Sequence, residues 1–145
     1  MKISANRDDL LKPLLMAGNV VERRQTLPIL ANVLIATSPG KIKITATDLE
    51  VELTTTASAD VSEEIEFTLP APKAIALCKA LPGGAAGSLG LDGEKATLRS
   101  GRGRYTMGML PARDYPSIEP TAASETFRIP ESVFKRLIEK TAFAM

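Results

Sequence analysis

The hydrophobic and polar positions follow two periods, that of a strand and that of a helix, in an order that recurs along the chain. Residues 2–6 alternate as in a short strand. A helix face follows, with apolar residues at Leu10, Leu11, Leu14 and Leu15. Asp8 and Asp9 suit the positive end of that helix. Three strands are predicted next, at residues 29–37, 41–47 and 49–57.

The same order begins again near residue 64. A strand that ends at Pro70 leads into a helix, which Pro82-Gly83-Gly84 ends. The apolar face of that helix is formed by Ala74, Leu77, Cys78 and Leu81. Three short strands follow, at residues 88–91, 95–99 and 103–109. Asp92-Gly93 and Ser100-Gly101 between them, like Ser38-Pro39-Gly40 in the first unit, are typical of hairpin turns.

A third unit begins after residues 110–126, which contain three prolines and are predicted to be a linker. From Phe127 onward a short strand and a helix are predicted. The apolar stripe of this helix consists of Val133, Phe134, Leu137, Ile138 and Met145. Two complete units predict one α+β domain at residues 1–120, and residues 121–145 then supply the first strand and helix of a second domain. We interpret the chain as a fragment, or as the ordered part of something longer.

Acidic residues mark one predicted strand of the first unit. Asp48, Glu50 and Glu52 alternate with apolar residues, which predicts a half-buried antiparallel strand with an acidic outer face. Two carboxylates two positions apart on a strand can also hold Mg²⁺. A metal-dependent nuclease or phosphohydrolase that uses Asp48 and Glu50 is therefore an alternative function, although Glu52 extends the row as a solvated surface does.

Charge changes this picture through its distribution, because the net charge is only +1. Residues 41–66 hold two lysines and seven acidic residues, a balance of −5. Residues 95–113 hold five basic residues and no acidic one, a balance of +5. Either these charges are scattered over solvated surface, or different faces of the domain carry different signs. A hydrophobic content of 44% is sufficient for a core.

Composition excludes several kinds of site. The chain has no histidine, so Ser–His and Cys–His catalytic pairs and histidine metal sites cannot form. Cys78 is the single cysteine, so no internal disulfide can form and a reducing compartment is favoured. We interpret Cys78 as a core thiol. No run of residues has the length of a membrane span and no signal-peptide core is present. We expect a cytoplasmic protein without a cofactor or a bound metal.

A basic segment lies on the last strands of the second unit. Lys95, Arg99, Arg102 and Arg104 fall on strands or their turns, and Tyr105 follows. These side chains can contact phosphates, pair with an acidic partner or simply be solvated. Residues 103–109 form the last strand, which is expected to be a sheet edge with the arginines on one face and Tyr105 and Met107 on the other. A β-edge protein-interaction module is a further alternative function.

Four motifs together resemble a known family. RRQTLPILANVL, ATDLEVEL, LPAPKAIALCKALP and RSGRGRYTMGMLPARDYP occur in this order and resemble the bacterial DNA polymerase III beta subunit, the sliding clamp. The resemblance runs through the whole chain. It implies three domains of like fold, each with two strand–helix–three-strand units, helices on the inside and sheets on the outside. It also implies a ring of two subunits around duplex DNA, of which this chain covers the first domain and the start of the second.

The resemblance implies a non-catalytic function. A clamp tethers a polymerase by encircling duplex DNA, with contacts to phosphates and without base readout. The implied partners are double-stranded DNA, a second subunit, the DNA polymerase III alpha subunit and the clamp loader. In the family, the pocket for polymerase and loader peptides lies between the second and third domains, so we expect no peptide-binding residues here.

The resemblance also implies site residues. An arginine just before TLPIL contacts DNA in the family, and Arg24 matches it. The further residues expected to face DNA are Lys12, Lys79, Lys135 and Arg136, with Lys73 and Lys140 also available. The first-domain side of the subunit interface is expected to include Lys73, Lys95, Arg102, Arg104, Tyr105 and Met107. We favour this interface over phosphate contact for the basic segment.

Overall fold

The computed structural model describes residues 2–21, 27–118 and 125–145. The first unit comprises β1 (Lys2–Asn6), α1 (Arg7–Gly18), β2 (Asn32–Ser38), β3 (Lys41–Thr47) and β4 (Glu52–Ser58). The second comprises β5 (Glu66–Pro70), α2 (Ala71–Ala80), β6 (Ala86–Asp92), β7 (Lys95–Ser100) and β8 (Gly103–Gly108). A third helix, α3, spans Glu131–Thr141, and short 3₁₀ turns lie at Pro28–Ala31, Ala112–Asp114 and Ala142–Ala144. No helix in these ranges has the length and apolarity needed to cross a membrane.

The strands form two four-stranded antiparallel sheets, and the two units exchange strands to build them. One sheet has the order β1-β6-β7-β8 and the other β4-β3-β2-β5. The first strand of each unit therefore pairs with the sheet of the other unit: Ile3 of β1 lies opposite Leu89 of β6, and Leu69 of β5 lies opposite Val33 of β2. The prediction of an α+β fold with two strand–helix–three-strand units is confirmed.

The core lies between the sheets and the two helices that follow β1 and β5. Alternate residues of the central strands are buried, as the period of two requires. The members from the strands include Ile3, Val33, Ile35, Ile42, Ile44, Phe67, Leu69 and Met107. Leu14 and Ala17 of α1 join them, as do Ala74 and Cys78 of α2. The helices pack closely, since a Cβ added at Gly18 would lie only 2.5 Å from Ile75 Cδ1.

The predicted hairpin turns are confirmed. Gly40 connects β2 to β3 with φ of +78°, and Gly93 and Gly101 connect β6 to β7 and β7 to β8 with φ of +54° and +53°. Glycine adopts this left-handed conformation without the steric cost of a side chain.

The predicted acidic strand is wrong at its N-terminal half. β3 ends at Thr47 and β4 begins only at Glu52, so residues 48–51 form a loop. The Asp48 carboxylate accepts hydrogen bonds from the N–H groups of Glu50 and Val51, at 2.9 and 2.7 Å. Leu49 has φ of +79°. A short acidic side chain that bonds to nearby backbone competes with a strand ladder, and alternation alone does not show this.

The predicted linker is fastened to the domain over its first half. Thr68 Oγ1 accepts from Leu110 N at 2.9 Å and donates to Leu110 O at 2.8 Å. The N–H of Ile118 donates to the Glu52 carboxylate at 3.0 Å. Residues 110–118 therefore run along the β4-β3-β2-β5 sheet, since these hydrogen bonds tie the two ends of the segment to β5 and β4.

The helix predicted in the third unit is confirmed as α3, but the strand predicted before it is not formed, since residues 125–130 have no regular structure. The apolar stripe of α3 is solvated, with Phe134 53% and Leu137 51% exposed. A helix with one apolar face normally buries that face.

Candidate nucleic-acid and subunit interfaces

Three lysines lie on the solvent side of the packed helix pair. Pro13, Leu14 and Ala17 of α1 face the core, which leaves Lys12 on the opposite side. Ala74 and Cys78 do the same in α2 and leave Lys73 and Lys79 exposed. Within the described ranges none of the three lysines forms an ion pair. Their charges are free to act on an anion outside the domain.

Arg7 and Asp8 connect the start of α1 to the end of α2. Arg7 Nε donates to the Cys78 carbonyl at 3.0 Å, and its Nη1 pairs with Asp8. Asp8 Oδ2 also accepts from the Gly84 N–H at 2.7 Å. The hydrogen bond from Arg7, with that from Gly84, lowers the pKa of the Asp8 carboxyl. We call this set of contacts the Arg7–Asp8 bridge; it holds the two lysine-bearing helices together at one end.

Arg24 and its neighbour Arg23 lie outside the described residues. The chain is described again from Leu27, which leads into the 3₁₀ turn at Pro28–Ala31. Leu30 in that turn is fully buried, so it fixes the turn to the core. The role of Arg24 in DNA contact stays a prediction.

The cations of α3 are exposed. Lys135, Arg136 and Lys140 all point to solvent, and Lys135 Nζ lies 3.9 Å from the carboxylate of Glu139 one turn on. Surface pairs of this kind contribute little to stability. Lys135 and Arg136 are therefore accessible to an anion, as a DNA contact requires.

β8 is a sheet edge, as predicted, because among the described strands it pairs with β7 alone. Arg104 lies directly opposite Arg99 on the outer face of the sheet. Opposed like charges on neighbouring strands disfavour pairing. In the described part of the chain neither arginine has an ion-pair partner. Such an uncompensated pair suits an acidic surface on another molecule.

The two residues predicted to contact a partner from the other face of β8 differ in exposure. Tyr105 is 37% exposed and available for contact, whereas Met107 is 4% exposed and belongs to the core. Tyr105 lies along its own strand over Gly103, where an added Cβ would be 2.9 Å from its ring. Met107 can thus support the edge from inside, but its side chain offers little surface to a second molecule.

The remaining predicted interface residues lie on different elements. Lys95 lies across from Gly108 on the β7–β8 ladder, and Arg102 lies in the turn just before β8; both are exposed. Lys73 lies on α2 and not on this sheet. The structure therefore places Lys95, Arg102, Arg104 and Tyr105 on or beside one sheet edge, and Lys73 on a helix.

Asp48, one of the two carboxylates proposed for a metal, is engaged within the fold. Hydrogen bonds from Val51 and then Glu50 lower the pKa of Asp48. Glu52 accepts from Ile118. Among the described residues no group of three or more potential ligands could hold a metal ion. Asp48 and Glu50 do not lie side by side on a strand, so the geometry proposed for hydrolysis is absent from this loop.

Sequence reasoning missed the Arg7–Asp8 bridge. It assigned Asp8 only to the positive end of α1, whereas the carboxylate also bonds to Gly84, 76 positions away. An adjacent arginine and aspartate at a helix start are compatible with such a contact but do not identify the partner.

Comparisons with known proteins agree with the fold. A family model described as DNA polymerase III beta subunit, N-terminal domain, matches residues 1–119. A beta sliding clamp of Pseudomonas putida is 42% identical over all of this chain, and that of Escherichia coli K12 is 39% identical. A crystal structure of the DNA polymerase III subunit beta from Pseudomonas aeruginosa superposes with a TM-score of 0.94 at 41% identity, covering 100% of this chain and 40% of that one. Caulobacter crescentus pol III beta gives 0.93 at 34% identity, covering 99% and 39%. The chain spans 40% of the length of the two curated relatives.

Proposed function

The chain belongs to the DNA polymerase III beta subunit family, and from this premise we propose that it is part of a DNA sliding clamp. The clamp encircles duplex DNA and tethers the replicative polymerase without catalysis of its own. Because the chain spans 40% of the length of its relatives, the ring and its partners are proposed for a protein of their full length. Residues 1–120 form the first clamp domain in this proposal, and residues 121–145 begin the second.

The observation that carries the proposal is the lysine-bearing helix pair. α1 and α2 pack side by side and expose Lys12, Lys73 and Lys79 to solvent. Lysines on smooth helix surfaces attract phosphates without reading bases, which is what sliding requires. Lys12 and Lys79 are the proposed DNA contacts of the first domain, together with Arg24. Lys135 and Arg136 on α3 are the proposed DNA contacts of the second domain.

The edge of β8 is proposed as the first-domain side of the subunit interface. Lys95, Arg102 and Arg104 offer positive charge there, and Tyr105 offers apolar surface. An edge strand also has unpaired backbone groups that a second strand can pair with. Met107 contributes from the core side, and Lys73 would reach the same partner only from α2. The other proposed partners are the DNA polymerase III alpha subunit and the clamp loader, in the cytoplasm.

The ring is tested with the full-length gene product on circular and linear duplex DNA. A clamp loaded on a nicked circle stays bound, and it leaves when the circle is cut, because only the closed circle retains a sliding ring. Retention is measured by gel filtration before and after cutting. Equal retention on the two forms would contradict encirclement.

The helix lysines are tested in the same protein with the double variant Lys12→Ala and Lys79→Ala. We expect weaker binding to a short duplex and a salt dependence whose log–log slope falls by about 1 for each lysine removed. Lys41→Ala with Lys43→Ala is the matched control. These lysines are also exposed, but they alternate with buried Ile42 and Ile44 on the sheet and should not face DNA. An equal loss in both double variants would rule out a specific role for the helices.

The interface is tested by Arg102→Glu with Arg104→Glu in the full-length protein. The reversed charges should shift the dimer to monomer in sedimentation velocity, since the edge then repels an acidic partner. Tyr105→Arg should act in the same direction. Arg113→Glu is the control, because its side chain is 86% exposed on a separate turn. An unchanged dimer in the β8 variants would remove this edge from the interface.

A further inference from the structure

A small apolar cavity lies inside the domain, between the two helices and the two sheets. Its volume is about 70 Å³. The wall combines residues of both sheets, including Ile3, Ile44, Phe67 and Met107, with Leu14 of α1. The cavity therefore lies at the junction of the two exchanged units and not within either one.

The cavity persists because small residues meet at its wall. Ala5, Ala74, Cys78 and Gly87 all line it. A Cβ added at Gly87 would lie 3.2 Å from Leu98 Cδ1, so the Leu98 side chain would have to shift slightly to accommodate it. Packing of the two sheets across the helices thus leaves space that no native side chain fills.

Water is a poor occupant of this space. The volume exceeds the roughly 10–15 Å³ that one water needs, but a buried water also needs two to four polar partners. Arg7 lines the cavity, but its guanidinium already has partners, because Nε donates to the Cys78 carbonyl and Nη1 pairs with Asp8. The Cys78 thiol is buried and is a weak donor. The chemistry of the wall favours an apolar occupant.

We propose that this cavity is a binding site for one small apolar molecule, of the size of a xenon atom or a two- or three-carbon hydrocarbon. An engineered cavity of about 150 Å³ in another protein binds benzene or xenon. The present volume is about half of that, so an atom or a short chain fits and an aromatic ring does not. Arg7, Leu77 and Leu81 line the cavity and are only partly buried, so entry is expected beside the Arg7–Asp8 bridge.

Xenon is the probe for this site, applied to the 145-residue chain. A ligand that binds only the folded state raises its melting temperature. The Tm of the wild-type protein should therefore rise progressively with xenon pressure, whereas saturation with benzene should leave it unchanged. Crystals held under xenon should show one atom between α2 and the sheets.

Two variants separate the cavity from non-specific effects of the gas. Ala74→Leu fills the space, so its Tm should not respond to xenon. Ala57→Val enlarges a buried residue that does not line the cavity and should keep the wild-type response. If Ala74→Leu does not fold, Cys78→Met replaces it. The proposal is overturned if xenon leaves the wild-type Tm unchanged, if a filled variant responds like the wild type, or if the pressurised crystals show no atom there. None of these outcomes bears on the clamp proposal, which does not depend on the cavity.

Discussion

Two buried hydroxyls illustrate how single residues hold the chain after β8 against the domain. The Tyr115 hydroxyl lies 3.2 Å from the Thr45 carbonyl and 3.3 Å from that of Asn32. The Thr68 hydroxyl accepts from Asn32 Nδ2 at 2.9 Å and bonds twice to Leu110. Both hydroxyls form hydrogen bonds between the chain after β8 and the β4-β3-β2-β5 sheet, and a buried polar group that loses its partner is costly.

Burial gives Tyr115 a measurable pH signature. It raises the pKa of this phenol to about 12 from a usual value of 10.0. The unfolded chain therefore loses this proton first, and above pH 10 the folded state binds more protons than the unfolded state. The contribution to the free energy of unfolding is complete below pH 10 and declines as pH rises toward 12.

Tyr115→Phe should remove the contribution of this phenol, so the free energy of unfolding should decline less steeply as pH rises from 10 toward 12. The difference between wild type and variant, measured by urea denaturation across that pH range, isolates the contribution of this phenol. Parallel curves for the two proteins would show that Tyr115 ionises as readily in the folded state as in the unfolded one.

Thr68→Val keeps the side-chain shape but removes the hydroxyl. Asn32 is buried and would lose a hydrogen-bond acceptor, as would the N–H of Leu110. We expect a loss of about 1–3 kcal/mol in the free energy of unfolding. Thr106→Val is the control, since its hydroxyl meets Thr97 on an exposed face and its loss should cost little. If urea denaturation gave the same loss in the free energy of unfolding for both variants, the buried hydrogen bonds of Thr68 would contribute no more to stability than the exposed one of Thr106.

At the scale of elements, the connection between α1 and α2 depends on charge as well as on packing. Gly18 lets the helices approach, and the Arg7–Asp8 bridge ties the start of one to the end of the other. The lowered pKa of Asp8 gives stability that is present above its usual pKa of 3.8 and is lost as pH falls through the folded-state pKa.

Asp8→Asn should therefore lower the urea midpoint at neutral pH and make it less sensitive to acid. Asp9→Asn is a matched control, because Asp9 is also exposed in the first turn but makes no such bridge. If both variants lose the same stability, the effect comes from the helix dipole and not from the bridge.

Element type was predictable here and element boundaries were less so. The turn glycines at 40, 93 and 101 require backbone that few other residues adopt, so the hairpins followed from the sequence. The start of β4 did not, because Asp48 bonds to its own loop and Leu49 adopts a left-handed conformation. Alternation of polar and apolar residues indicates neither this hydrogen bond nor this backbone conformation.

At the scale of the whole molecule, exchange of β1 and β5 makes each unit depend on the other. A chain of residues 1–64 would leave β1 without β6 and β2 without β5. We expect it to be unfolded by circular dichroism. Residues 1–118 retain both sheets and should unfold cooperatively at the midpoint of the 145-residue chain, since residues 125–145 are almost entirely exposed. A folded half-chain would show that the exchanged strands are dispensable.

The sequence alone determined the repeated unit, the helices and most strands, because hydrophobic period and turn chemistry are local properties. The resemblance to the clamp family named the lysines of α1 and α2 as residues available to face DNA. Only the tertiary structure decided that the units exchange strands, that Met107 is buried while Tyr105 is exposed, and that Arg99 faces Arg104. These depend on which distant strands pair and in which register, and that is set by how the two units close around one core.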